Sequence, residues 1–234
     1  MLRLRNVDAW YGRAHVLQGV DLDVAQGEVV SLIGRNGAGK TSLLRAIMGL
    51  MPRCEGEIGF LDAHLQKLQT HDRFRLGLGY VPEERRIVQG LSVAENIELG
   101  LIAPAACKRD PARVEEVLAM FPRLRERWRQ QATTMSGGEQ QMLAIARALV
   151  SGPKLLMLDE PSEGIMPRLV DEMFELFGVI AGKGLTILLV EQNVSRALSI
   201  SQRAYIVDQG RIVVGETAAN LLANPEMRDR YCSV

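Results

Sequence analysis

Gly34-Arg35-Asn36-Gly37-Ala38-Gly39-Lys40-Thr41 has the spacing G-x-x-x-x-G-K-[ST]. It lies between a short apolar run, Glu28 to Ile33, and a helical pattern, which is the context the motif requires. Glycines let backbone N–H groups close around phosphate oxygens. Lys40 can reach β- and γ-phosphate oxygens, and the Thr41 hydroxyl can hold Mg²⁺. Gly34, Asn36, Gly37, Ala38, Gly39, Lys40, Thr41 and Ser42 are therefore candidate nucleotide contacts. Further along, Leu155-Leu156-Met157-Leu158-Asp159-Glu160 reads as a buried strand ending in two carboxylates. On its own that is a common pattern. Beside a phosphate loop, Asp159 becomes a partner of Mg²⁺, directly or one shell out. Glu160 becomes the carboxylate that orients and deprotonates an attacking water.

Ser136-Gly137-Gly138-Glu139-Gln140 is a second glycine-rich stretch ahead of a helical pattern. Ser136 fits an N-cap, and the glycines clear space for an anion at the helix N-terminus. An ordinary capped helix start would look the same. Its position shortly before the Asp159-Glu160 strand is what ties it to the phosphate chemistry.

These residues need a scaffold of strands and helices. Leu2 to Val7 and Val16 to Val24 alternate apolar with polar residues, as half-buried antiparallel strands do. Thr41 to Leu50 reads as a helix, and Glu57 to Leu61 and Leu78 to Val81 as strands. From Ser92 to Arg129 the pattern turns helical, with Ser92 and Glu95 spaced as a capping box and Pro111 suited to a first helical position. Gln141 to Val150 is helical again. Leu155 to Leu158, Leu185 to Val190 and Ala204 to Val207 read as buried parallel strands, alternating with helices near Phe174 and Ala197. Asp208-Gln209-Gly210-Arg211 predicts a hairpin turn.

Composition narrows the class. A chain of 234 residues suits one large α/β domain, and a formal net charge of +0 gives no polycationic signature for nucleic acid. No apolar run is long enough to span a bilayer, and Met1-Leu2-Arg3-Leu4-Arg5 does not resemble a signal peptide. Cys54, Cys107 and Cys232 have neither metal-type spacing nor an even count for disulfides, which predicts a reducing compartment.

Taken together, the phosphate loop, the Ser136 loop and the Asp159-Glu160 strand resemble ABC-type ATPases over essentially the whole chain. The resemblance implies a single α/β domain, 1–234: a P-loop NTPase core with an N-terminal antiparallel β-subdomain and a helical subdomain inserted at roughly 84–150. It implies ATP and Mg²⁺ as cofactors. It places Tyr11 against adenine, and Ser136, Gly137, Gly138 and Glu139 in the ATP site of an opposing subunit. Glu83 stands where the family usually has Gln, and Gln192 stands at the γ-phosphate switch where most members carry His. Glu163 occupies a usually apolar place in the interface loop, and Glu84 replaces a usual Gly.

Val-Pro-Glu, Met-Ser-Gly-Gly-Glu-Gln-Gln-Met-Leu-Ala-Ile, Val-Glu-Gln-Asn and Phe121-Pro122-Arg123-Leu124 resemble one branch. It is the ATPase subunit of branched-chain amino acid uptake systems, including relatives for urea and amides. That implies two membrane permeases, a sister ATPase or a second copy, and indirectly a periplasmic solute-binding protein. It also implies a peripheral place on the cytoplasmic face of the inner membrane. Lipid or lipopolysaccharide export is the alternative for the same machinery. Soluble relatives acting on nucleic acid or ribosomes usually carry two ATPase domains or long coiled coils; this sequence has one phosphate loop and no sustained heptads.

Overall fold

The computed structural model describes residues 1–102, 111–224 and 226. Cys107 and Cys232 lie outside the described residues. The chain opens with β1 (Leu2–Tyr11), β2 (Ala14–Val24), β3 (Val29–Ile33) and α1 (Lys40–Met48). Next come β4 (Arg53–Phe60), β5 (Ala63–His64), α2 (Thr70–Arg75) and β6 (Leu78–Val81). A helical stretch follows: α3 (Val93–Leu99), α4 (Pro111–Met120), α5 (Pro122–Glu126) and α6 (Gly137–Leu149). The chain then alternates through β7 (Leu155–Asp159), α7 (Pro167–Gly182), β8 (Thr186–Val190) and α8 (Val194–Ile200). It ends in β9 (Arg203–Asp208), β10 (Arg211–Thr217) and α9 (Ala218–Ala223).

Two sheets result. One is antiparallel with order β2-β1-β4-β5; the other has order β10-β9-β3-β8-β7-β6 and is parallel except for β10. The parallel strands β3, β7 and β8 are buried along their whole length, which explains their unbroken apolar runs. Their side chains still alternate between two cores. Leu156, Leu158, Ile187 and Leu189 meet the helical face with α3, α6 and α7. Leu155, Met157, Leu188 and Val190 meet α1 and the antiparallel sheet. Helix α1 is thereby clamped between the sheets, with Leu43, Leu44 and Ile47 fully buried. The loops after β3, β6, β7 and β8 leave the same edge of the parallel sheet, the edge where α/β folds bind ligands.

Several boundaries differ from the sequence reading for identifiable reasons. Helix α1 stops at Met48 because Gly49 turns left-handed at φ 73°. Helix α6 starts at Gly137 rather than Gln141, because Ser136 and Glu139 form a capping box. Helix α2 was not legible. Its buried Arg73 donates from Nη1 to Ala46 O (3.0 Å) and Ile47 O (2.8 Å), placing a cation on the last carbonyls of α1.

The β9–β10 hairpin bears on the site. Gln209 and Gly210 both take positive φ, 47° and 78°, the pairing that matches strand twist in a two-residue turn. A Cβ at Gly210 would stand 2.3 Å from Val16 O. The turn is seated there by Gly210 N donating to Ala38 O (2.8 Å) and Gln18 N donating to Gly210 O (2.8 Å).

Candidate nucleotide site

The phosphate loop joins the end of β3 to the start of α1. Gly34 sits at φ 150°, and a Cβ there would come 2.1 Å from Val207 O, so the loop can leave the sheet only through glycine. Gly39 occupies the N-cap of α1 in a left-handed conformation. No side chain caps this helix and no acidic residue lies in its first turn, so the N-terminal N–H groups keep their positive field. Lys40 is buried and donates from Nζ to Gly34 O (2.8 Å) and Arg35 O (3.1 Å). A cavity of about 370 Å³ opens over the loop, walled by His15, Val16, Gly39, Thr41, Ser42 and Glu160 among others.

Two carboxylates, Asp159 at the end of β7 and Glu160 after it, have different environments, and Glu160 lines the cavity. Asp159 is buried at the end of β7. Its Oδ1 accepts from Thr41 Oγ1 (2.9 Å) and its Oδ2 from the Tyr80 hydroxyl (3.0 Å). Burial pushes the Asp159 carboxyl above the usual carboxylate range, and those two hydrogen bonds work against the shift. Glu160 holds a left-handed backbone at φ 47°, a strained conformation for a residue with a side chain. Its N–H donates to Val190 O at 2.9 Å, fixing the turn. Its Oε1 lies 3.7 Å from Lys40 Nζ, and its Oε2 accepts from Gln192 Nε2 at 2.5 Å. Gln192 is therefore bound to Glu160. The cap of α8 is its neighbour Asn193, whose side chain accepts from Arg196 N (3.1 Å).

The Thr41 hydroxyl and Asp159 carboxylate form a small set of hard oxygen donors. That set fits Mg²⁺, which takes one or two carboxylates and leaves its other positions to phosphate and water. Glu83 is exposed after β6. Burial and the nearby charges of Glu160 and Asp159 push its carboxyl upward, which puts it in the same electrostatic field. Tyr11 ends β1 at 37% exposure, and its hydroxyl accepts from Arg45 Nη1 at 3.3 Å. His15 and Val16, not Tyr11, form the wall of the cavity on that side.

Ser136, Gly137, Gly138 and Glu139 stand apart from this cluster, at the start of α6. Ser136 Oγ accepts from Glu139 N (3.4 Å) and donates to Glu139 Oε2 (2.8 Å), while Ser136 N donates to the same carboxylate oxygen (2.9 Å). Arg127 Nε lies 3.0 Å from Glu139 Oε1. Burial raises the Glu139 carboxyl, but the Ser136 hydrogen bonds and the charges of Arg127 and Arg123 bring it below the usual range.

Three site residues carried no role in the sequence reading. Tyr80 was seen only as part of a strand. Arg45 binds the Tyr11 hydroxyl and approaches Glu84 at 3.6 Å. Glu191 is buried and accepts from Ser162 N (3.1 Å) and Gln192 N (3.1 Å), joining the Glu163 loop to the Gln192 turn. Burial pushes its carboxyl upward against those bonds. A carboxylate immediately after a buried strand was the available signal for Glu191; nothing in the sequence distinguished Tyr80 or Arg45.

A glycine loop on an open helix start, with a threonine hydroxyl, a lysine and two acids around it, defines a P-loop nucleotide hydrolase. Comparison narrows this. Residues 17–163 match the ABC transporter family, and this chain belongs to it. It is an ATP-binding cassette, an ATPase subunit of a transporter. It is 44% identical to the high-affinity branched-chain amino acid transport ATP-binding protein BraG of Pseudomonas aeruginosa, over 99% of each chain. It is 34% identical to the lipopolysaccharide export system ATP-binding protein LptB of Escherichia coli, over 98% of this chain and 96% of that one. Among solved structures, an ATP-binding subunit of an ABC transporter superposes with a TM-score of 0.84 at 27% identity, covering 97% and 94% of the two chains. A dimeric bacterial ABC transporter cassette gives 0.83 at 25% identity, covering 93% and 99%. Among the described residues, no helix is long and apolar enough to cross a membrane.

Proposed function

We propose that this chain hydrolyses ATP to drive uptake of branched-chain or related amino acids. The observation that carries this reading is the end-to-end likeness to BraG at 44% identity. Two such subunits, this chain with itself or with a sister, close around ATP, and each lends its Ser136 loop to the other's nucleotide. Lys40 and the first-turn N–H groups of α1 hold the phosphates, and Tyr11 lies against adenine. Thr41 and Asp159 would hold Mg²⁺, which would supply positive charge to offset that of the phosphates. Glu160 takes the proton of the attacking water, Gln192 holds Glu160 in place while sensing the γ-phosphate, and Glu83 follows the state of the site.

The helical subdomain that carries α3 to α6 passes the motion on to the permeases. A groove of about 290 Å³, walled by Phe74, Tyr80, Val81, Pro82, Leu99 and Arg147, suits a permease segment. Two permeases and, through them, a periplasmic binding protein complete the assembly at the cytoplasmic face of the inner membrane. No nucleic acid takes part.

The test is leucine uptake in cells whose own copy is replaced by wild type or by Glu160→Gln, with partners identified from solubilised membrane. Loss of uptake with Glu160→Gln, and permeases in the wild-type preparation, is the expected result. Normal leucine uptake together with lipopolysaccharide-export or urea- and amide-uptake partners would assign the chain to those systems instead.

A further inference from the structure

Tyr80 touches two functional regions at once. Its hydroxyl donates to Asp159 Oδ2 at 3.0 Å, on the side of the carboxylate that Thr41 leaves open. The Arg45 guanidinium, in the last turn of α1, adds a positive charge beside that phenol. Its ring walls the groove beneath β6. A phenol has one proton to give, and here it goes to Asp159. Tyr80 thus holds one oxygen of the carboxylate while Thr41 holds the other.

The torsion that turns an aspartate carboxylate is broad and roughly two-fold, so sterics alone do not fix its plane. Two hydrogen bonds on opposite oxygens do. From this geometry we infer that Tyr80 is a positioning residue for Asp159: its hydroxyl fixes the plane in which that carboxylate meets Mg²⁺. The inference rests on the reading that Asp159 serves the metal. Outer partners of metal-binding carboxylates contribute about 10–100-fold to metal affinity, and Tyr80 belongs to that class. Being partly exposed, it belongs at the low end.

The experiment follows binding of a fluorescent, non-hydrolysable ATP analogue to the intact chain while Mg²⁺ is titrated in from an EDTA-buffered start. Wild type, Tyr80→Phe and Asp159→Asn are compared, with melting temperature recorded for each. Tyr80→Phe keeps the ring against the groove and removes only the hydroxyl. The expected result is a half-saturating Mg²⁺ concentration about ten-fold higher, with unchanged nucleotide affinity in EDTA and an unchanged melting temperature. A Tyr80→Phe titration that overlays wild type, while Asp159→Asn is displaced, overturns the role of Tyr80 and leaves the metal reading intact. Equal weakening with and without Mg²⁺ also overturns it, because the effect then bypasses the metal. If Asp159→Asn overlays wild type as well, the metal reading itself falls, and the inference falls with it.

Discussion

Helices α1 and α6 both begin at glycine-rich loops, yet their first turns are finished in opposite ways. The start of α1 has no side-chain cap and no acid in its first turn, and buried Lys40 adds a positive charge there. The start of α6 carries a complete capping box and an acid, with Arg127 against that acid. Free N–H groups and uncompensated dipole make α1 an anion site within one chain. Helix α6 has already met its own needs. Ser136 Oγ and Ser136 N are both engaged with Glu139. A phosphate reaching α6 has to compete with that box, which suits a contact made only when a second subunit presents a nucleotide. Glycine at a helix start therefore marks a place where an anion fits, whereas the residues after it decide whether that place stands open.

The sharpest way to break this comparison is to remove the chemistry from the open start. Glu160→Gln is expected to keep nucleotide affinity and lower turnover about 10³-fold, since a positioned general base contributes on that scale. Lys40→Ala is expected to lose both. Phosphate release together with fluorescent-nucleotide binding checks the pair. Near-normal turnover in Glu160→Gln would falsify its assignment as the base.

Ser136→Ala addresses the closed start. Turnover should fall about 10²-fold, the scale for losing one donor to transition-state charge. Nucleotide affinity of the separated chain should stay as it is, because the Ser136 loop lies outside the cavity. Stability should fall by about 1 kcal/mol through the lost cap. Size-exclusion chromatography sharpens the point: Glu160→Gln with ATP should shift toward a dimer, and adding Ser136→Ala should remove the shift. A weaker nucleotide affinity in Ser136→Ala alone would mean that both helix starts serve the same nucleotide.

Gln192 lies between these extremes, bound to Glu160 but exposed. Gln192→Ala should lower turnover about ten-fold while ADP affinity barely changes, as expected for a group that aids the base rather than holding phosphate. Gln192→His should remain active and acquire a rate dependence between roughly pH 6 and 7.5 that the parent lacks, because imidazole titrates near 6.5. Full activity in Gln192→Ala would detach it from catalysis.

Much of this arrangement is legible in the amino-acid sequence. Strands β3, β7 and β8 announced themselves because both faces are buried, leaving no polar alternation to obscure them. The phosphate loop, Asp159 and Glu160 were visible because each must follow a strand at fixed spacing. The Ser92 and Glu95 capping box is local and forms as spaced, whereas at Ser136 the sequence reading reaches only the N-cap and the box with Glu139 moves the helix start forward. What escaped depended on distant partners. Arg73 looks like any surface arginine until α2 lays it over the carbonyls of α1. Tyr80 gains its role from a carboxylate far along the chain, brought beside it by the pairing of β6 with β7. Short α2 and α9 lack enough turns for a periodic pattern to rise above noise.

The smallest expected effect tests the electrostatic half of the comparison. Glu139→Gln preserves the capping geometry, since glutamine also completes a capping box, and removes only the negative charge. Against burial, the Ser136 hydrogen bonds and then the charges of Arg127 and Arg123 hold the folded carboxyl below its unfolded range, and the positive end of α6 acts in the same direction. A carboxyl with a depressed folded pKa stabilises above its unfolded value, near 4.3, and that contribution is lost as pH falls through the folded pKa. Wild type should therefore exceed Glu139→Gln by about 0.5 kcal/mol near pH 7, less at high salt, and the gap should close below about pH 4. Urea unfolding of both proteins at several pH values measures it. A gap that stays constant down to acid pH would mean that the carboxylate acts at α6 through hydrogen bonding alone. The N-terminus of α6 would then be closed by geometry rather than charge, and an incoming phosphate would meet no electrostatic competitor there.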